Sequence, residues 1–303
     1  MKNTKRLGVY LGTLGAMFFW GISFVWTKIV FRYYGPFTTL LFRLIISSVF
    51  LAIYAKFTGK EEKVARKDWP LFLLLAFLEP FCYFLGESFG LLLVSPTLAS
   101  IMIGLIPVLS PFFAYFFLRE KLSPLNILGL AAAFIGLAVF TTTGSAKLEA
   151  STTGLLFLLF AVLSGIGYSI VVKKLAGRYR PLTIVRIQNM IGGLYFLPLM
   201  LGFELKDTLA VNPPGNVVLN LVMLAVFGSS LAFIFITVSI RELGVSRTNI
   251  FTNIIPVITA ITAWLMLNES FTMRKVAGMA IIITGIFLSQ LKKKHRSRVI
   301  HER

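Results

Sequence analysis

Charge and cysteine are both scarce in this 303-residue chain. Asp and Glu together number 12, and charged residues of both signs make up 14% of the whole, against 57% hydrophobic. A water-soluble domain of this length needs far more charge to cover its surface, so an aqueous globule is excluded. The one cysteine, Cys82, lies inside an apolar stretch. No disulfide can form within the chain, and cysteine usage carries no information on redox compartment. Both histidines, His295 and His301, lie in the polar tail, and the links rather than the apolar stretches hold Asp68 and Asp207. Metal-ion chemistry and Ser-His-Asp catalysis therefore lack their residues, and we expect no metal, no cofactor and no enzymatic activity. A Gly-rich phosphate loop is also missing, and the links are too short for a nucleotide-binding domain, which excludes ATP-driven pumping by this chain alone.

What the chain has in quantity is apolar runs of about twenty residues, each long enough to cross a hydrocarbon core of about 30 Å as a helix. Backbone in lipid must satisfy itself internally, which leaves helices or a closed barrel. Barrel strands alternate apolar with polar residues, whereas Leu71–Leu78 and Ile281–Leu288 do not. The expected fold is an all-α integral membrane protein with spans at 7–31, 37–57, 70–93, 95–118, 124–143, 154–175, 182–203, 215–239, 245–267 and 273–291. The first run is too long for a secretory signal and has no small-residue cleavage site, so it reads as a retained helix.

The net charge of +18 invites a nucleic-acid reading, which its distribution removes. With the N-terminus placed inside, 22 of the 30 Lys and Arg fall on the inner side and six, Lys28 among them, on the outer; Arg43 and Arg186 fall within spans. That asymmetry puts both termini in the cytoplasm of a cell (inner) membrane protein. The basic run Lys292–Arg298 then anchors the last span beside anionic headgroups, so the partner is a lipid bilayer rather than nucleic acid.

The sequence also repeats itself. A shift of 149 brings Ile106-Pro107-Val108 onto Ile255-Pro256-Val257, Glu120 onto Glu269, and Gly129 and Gly136 onto Gly278 and Gly285. A shift of 144 to 145 aligns Gly21 with Gly165 and Pro36 with Pro181. Two halves follow, 1–150 and 151–303, the second carrying the basic tail. Each holds five spans, an odd number, so the second enters the membrane inverted relative to the first. Pro107 and Pro256 are expected to mark equivalent bends, candidate hinges for the fourth and ninth helices. The glycine-rich fifth and tenth helices are candidate surfaces for a homodimer.

Ten spans in two five-helix halves, with Pro107 and Glu120 repeated as Pro256 and Glu269, resemble the drug/metabolite transporter superfamily, EamA type. The resemblance covers residues 7 to 291. It implies a central cavity lined by the first four helices of each half, with the fifth and tenth at the periphery. It also implies export or exchange of amino acids or other metabolites; relatives carry nucleotide sugars or phosphorylated sugars, so membership does not fix a substrate.

Polar residues within spans supply the candidate substrate site. An ionisable group at mid-bilayer costs about 2.5–3.5 kcal/mol on insertion scales, so each should face protein or water. On an ideal third helix Glu79, Tyr83, Gly86, Glu87 and Gly90 share one stripe. Its carboxylates could hold a substrate cation, carry a coupling proton, or be bonded between helices. Arg43 is either a forked donor to a substrate carboxylate or a snorkelling anchor. Its repeat partner is Gln188, beside Asn189. Asn249 and Asn253 share a face of the ninth helix and suit substrate contact or interhelical bonding. Trp20 on the first helix and Tyr168 on the sixth are candidates for the cavity wall. An arginine with two acids suits a zwitterion such as an amino acid, while two acids alone suit an organic cation; a channel or an intramembrane enzyme has less support.

Overall fold

The computed structural model describes residues 2–59, 62–118, 123–141 and 151–290, and all regular structure among them is helical. The first half contains α1 (Lys2–Val30), α2 (Pro36–Thr58), α3 (Arg66–Leu93), α4 (Pro96–Ile103 continued by Ile106–Leu118) and α5 (Pro124–Thr141). The second contains α6 (Thr152–Ala176), α7 (Pro181–Ala210), α8 (Gly215–Leu243), α9 (Val245–Ile250, a 3-10 turn Phe251–Ile254, then Ile255–Leu267) and α10 (Met273–Gln290). Among the described residues α1 to α9 are each long and apolar enough to cross a membrane. The 18 residues of α10 reach about 27 Å at about 1.5 Å per residue. Glu120 and the basic tail, 292–303, lie outside the described residues.

Proline sets several helix starts. Pro36, Pro96, Pro124 and Pro181 open α2, α4, α5 and α7, where the missing N–H is one the first turn leaves unbonded. Ser95 and Ser151 cap α4 and α6, accepting from Leu98 N at 3.3 Å and Gly154 N at 3.2 Å. Pro107 and Pro256 stand in the first turn of the second segments of α4 and α9, so each expected hinge residue directly follows a break in its helix. The breaks themselves are at Gly104–Leu105 and Phe251–Ile254.

A second correction concerns α7, whose polar end at 204–207 marked the limit of the expected span. The helix runs on through a widened turn, Met200–Glu204, to Ala210. Glu204 is spent on α2: its carboxylate accepts from Phe37 N (3.1 Å), Thr38 N (2.7 Å) and Thr38 Oγ1 (2.8 Å), capping that helix at its positive end. The opposite end of the bundle has its own tie. Asp68 accepts from Arg178 Nη1 at 2.8 Å and from Tyr179 Oη at 2.7 Å, and Glu62 accepts from Arg180 N at 2.9 Å. Links α1–α2 and α2–α3 thus lie at opposite ends, as alternating spans require.

The peripheral pair α5 and α10 expresses the inverted repeat in contacts. A Cβ on Gly129 would sit 2.5 Å from Gly285 O, and one on Gly136 would sit 2.8 Å from Gly278 O. Gly278 and Gly285 are the repeat equivalents of Gly129 and Gly136, so equivalent residues cross-pair in antiparallel fashion, as a pseudo-twofold axis demands. These glycine faces are therefore occupied within the chain. Outward-facing Ile127, Leu128, Phe134, Ile135 and Phe287 are exposed and apolar, as lipid contact requires. Gly285→Ala places a methyl 2.7 Å from both Ala133 N and Gly129 O, backbone atoms that cannot yield cheaply. We expect a loss of about 1–3 kcal/mol, read as a lower melting temperature in detergent, whereas Gly8→Ala, which meets nothing within 4 Å, should leave it unchanged.

Candidate functional site

Four helices of the first half and three of the second line a cavity of about 90 Å³. Trp20, Ser23 and Phe24 come from α1, Arg43 from α2, Glu79, Tyr83, Phe84 and Glu87 from α3, and Ile103, Gly104 and Ile106 from α4. The second half adds Gly165, Tyr168 and Ser169 from α6, Phe233, Ile236 and Ile240 from α8, and Thr248, Asn249, Thr252 and Ile255 from α9. α5 and α10 contribute nothing to this wall.

The stripe on α3 is reached by a route the ideal helix misses. Glu79 has extended backbone (φ −150°, ψ 120°) inside a widened turn, Phe77–Cys82, so the helix is interrupted where Pro80 follows it. Glu79, Tyr83 and Glu87 still face one space, and Tyr83 Oη donates to Glu87 Oε1 at 3.2 Å. Gly86 and Gly90 do not share it: their Cα positions press against Phe157 O and Leu158 of α6.

Arg43 does not snorkel. It is 3% exposed, its Nε donates to Ser229 Oγ at 2.8 Å, and its guanidinium carbon lies 4.3 Å from the centre of the Phe84 ring. Neither glutamate is within ion-pairing distance of it; among the described residues the ion pair is Arg178–Asp68. One buried cation and two carboxylates thus share a cavity without neutralising each other in contact.

The repeat partner of the Glu79-Pro80 turn is Gly228-Ser229, inside the widened turn Leu224–Leu231 of α8. Gly228 O accepts from Trp20 Nε1 at 3.2 Å, Ser229 holds Arg43, and Ser230 Oγ lies 2.6 Å from Ser47 Oγ. Sequence reasoning missed these residues. The available signal was two serines and a glycine within an apolar span, at the position repeating Glu79-Pro80. Phe84 and Phe233, also missed, are repeat equivalents and pack with ring centres 6.3 Å apart.

Seven of the expected residues, Trp20, Arg43, Glu79, Tyr83, Glu87, Tyr168 and Asn249, come together on the wall. Three do not. Gln188 is fully buried behind Tyr168, whose hydroxyl donates to its Oε1 at 3.3 Å. Asn189 donates to Ser47 Oγ (2.7 Å) and Ser229 O (2.8 Å), bracing the residue that holds Arg43. Asn253 is buried in the 3-10 turn of α9, off the cavity wall.

The cavity is not symmetric. α8 and α9 line it with Ile240, Thr248 and Asn249, but their repeat equivalents Leu91, Ala99 and Ser100 are not on its wall. Its wall therefore reaches the end carrying the α8–α9 link and stops short of the α3–α4 link, where a separate recess is lined by Lys28, Ser95 and Glu269.

Comparison with known proteins agrees with this architecture. An uncharacterized transporter of Bacillus subtilis, YvbV, is 25% identical over 295 residues, covering 97% of this chain and 95% of its own. An uncharacterized transporter of Archaeoglobus fulgidus is 24% identical over 276 residues, 91% and 96% of the two chains. A probable terminal-alkyne amino-acid exporter of Streptantibioticus cattleyicolor is 26% identical over 279 residues, 92% of each. A crystal structure at 17% identity shares the fold, with TM-score 0.71 over 94% of this chain and 98% of that one. The profile of the EamA-like transporter family matches twice, at residues 7–142 and 152–291. This chain, a multi-pass membrane protein with a small-molecule substrate, belongs to the EamA-like transporter family.

Proposed function

We propose that the protein is a secondary transporter, an exporter or exchanger, that moves a small zwitterionic metabolite of amino-acid type by alternating access. The observation that supports this reading is the unpaired arrangement of Arg43, Glu79 and Glu87 around one cavity. An amino acid offers a carboxylate to the arginine and an ammonium to a glutamate, and each contact becomes a charge-assisted hydrogen bond in low dielectric. The wall is otherwise aromatic and aliphatic, leaving room for an apolar side chain. The relative named as a probable amino-acid exporter points the same way. Alternating access is supported by the inverted halves and by a cavity that extends toward one end only.

One observation favours a second reading. Arg43 is already held by Ser229 and Phe84. If it only builds the wall, two carboxylates with Trp20, Tyr83 and Phe233 suit an organic cation. A thermal-shift screen of purified protein separates the two. Stabilisation by zwitterionic amino acids, with none by their amides or by quaternary amines, is the expected result; stabilisation by the amines alone contradicts it.

The charge asymmetry supports placement in the cell membrane with both termini cytoplasmic. Lys63, exposed in the α2–α3 link, is then on the cytoplasmic side. A cysteine there, in a Cys82→Ala background, should react with an impermeant thiol reagent only in inverted vesicles. Reaction in intact cells contradicts the orientation.

A further inference from the structure

At the α3–α4 end, the Nζ of Lys28 on α1 lies 2.5 Å from Leu91 O and 3.2 Å from Val94 O, with Leu92 O at 3.5 Å. These carbonyls are the last of α3 and the first beyond it, groups a helix terminus leaves without intrahelical partners, and an ammonium there also meets the negative end of the helix dipole. Lys28 and Glu269, just beyond α9, line one recess, so their opposite charges attract, and Glu269 Oε2 accepts from Thr97 Oγ1 of α4 at 2.8 Å. One ammonium thus joins α1 to the end of α3 at the place where the cavity is shut, beside a second tie from α4 to α9. Among the described residues the Lys28 bonds have no counterpart at the open end. In the helical register that aligns Gly21 with Gly165, the partner of Lys28 is Val172, fully buried and without a polar group to offer α8. The neighbouring Lys173 and Lys174 are exposed and make no hydrogen bond among the described residues.

We infer that Lys28 is the latch of one gate: its bonds to the end of α3 hold the α3–α4 end closed, and breaking them accompanies opening of the cavity to that side. This rests on the alternating-access reading above. Three features carry it: the bonds span two helices that must separate for the cavity to reach that end, they sit at the closed end, and among the described residues the inverted repeat shows no equivalent of them at the open end. Lys28 is a positioning residue, since it does not line the central cavity but the separate recess at the α3–α4 end.

The test reads accessibility and needs no substrate. A cysteine at Ser23, on the cavity wall, is introduced into the Cys82→Ala protein, and its reaction with an impermeant maleimide is followed from each face of oriented proteoliposomes. In the parent, reaction from the α8–α9 face should dominate. Lys28→Met, which keeps the length of the side chain and removes the ammonium, should raise the rate from the α3–α4 face at least severalfold. Lys28→Arg should restore the parent ratio. Glu269→Gln, which keeps shape and weakens the attraction, should shift the ratio the same way by less, and it stands as the test if Lys28→Met does not fold. An unchanged α3–α4 rate in folded Lys28→Met or Glu269→Gln overturns the latch, whichever face the parent favours. A parent cysteine unreachable from the α8–α9 face contradicts the alternating-access reading instead.

Discussion

Glu87→Gln should abolish substrate accumulation driven by a pH gradient while leaving substrate exchange running, if Glu87 carries a coupling proton. The substitution keeps the shape of the side chain and the oxygen that accepts from Tyr83 Oη at 3.2 Å, so the local geometry survives and only the charge is lost. If instead Glu87 holds the substrate ammonium, the variant should weaken binding by about 1.5–3 kcal/mol, the worth of a charge-assisted hydrogen bond, or about ten- to hundredfold in affinity. Glu79→Gln distinguishes the partners: the two residues sit either side of Tyr83 on the same wall, and one is expected to carry the larger effect on binding. The pair of readouts is gradient-driven uptake and equilibrium exchange in proteoliposomes. Unchanged affinity, rate and pH dependence in both variants would leave the carboxylates as structural groups.

Arg43→Ala should weaken binding of the zwitterion by a comparable ten- to hundredfold, about 1.5–3 kcal/mol, through loss of the donor to its carboxylate. Removing the side chain also empties the space against Phe84 and leaves Ser229 Oγ without its donor, so a lower melting temperature accompanies the loss. Stability alone does not identify a ligand contact, and the decisive comparison uses an amide of the same amino acid, which lacks the carboxylate. Wild type should discriminate strongly between acid and amide, and Arg43→Ala should bind both equally weakly. Arg43→Lys keeps the charge and loses the planar fork and its stacking, and it should recover only part of the discrimination. Equal discrimination in wild type and Arg43→Ala would assign Arg43 to the wall and favour the organic-cation reading.

Much of the fold was legible because lipid imposes a length and an apolar composition on every span. The expected spans begin within one residue of Pro36, Pro96, Pro124 and Pro181, which stand in the first turns of their helices. The end of α7 was not legible, because the polarity of Glu204 reads as a link, and its role depends on the N-terminus of α2 lying 167 residues away in sequence. The glycines of α5 and α10 were recognised as a close-packing surface, but sequence could not say whether a second chain or the other half of this one would occupy it.

The site was partly legible for a related reason. Burial cost marks Arg43, Glu79 and Glu87 from composition alone, since charges in a span need a polar refuge. Which way Arg43 turns is decided by Ser229 and Phe84, contributed by two other helices, and no periodicity on α2 encodes that. Asn189 and Gln188 share the polarity of a binding residue but serve the layer behind it, bracing Ser229 and Tyr168. Polarity within a membrane helix therefore locates the polar centre of the bundle, and only geometry separates the groups that face the cavity from those that hold them in place.

Counterflow in proteoliposomes tests the proposed activity most directly. Vesicles loaded with a millimolar unlabelled zwitterionic amino acid, chosen from those that stabilise the purified protein, receive a trace of the labelled compound outside. Transient, saturable accumulation of label above equilibrium, abolished in Arg43→Ala and absent in vesicles without protein, is the expected result. Label that only equilibrates across the membrane, linearly in concentration, or counterflow seen with organic cations and with no zwitterion, contradicts a carrier for amino-acid-type substrates.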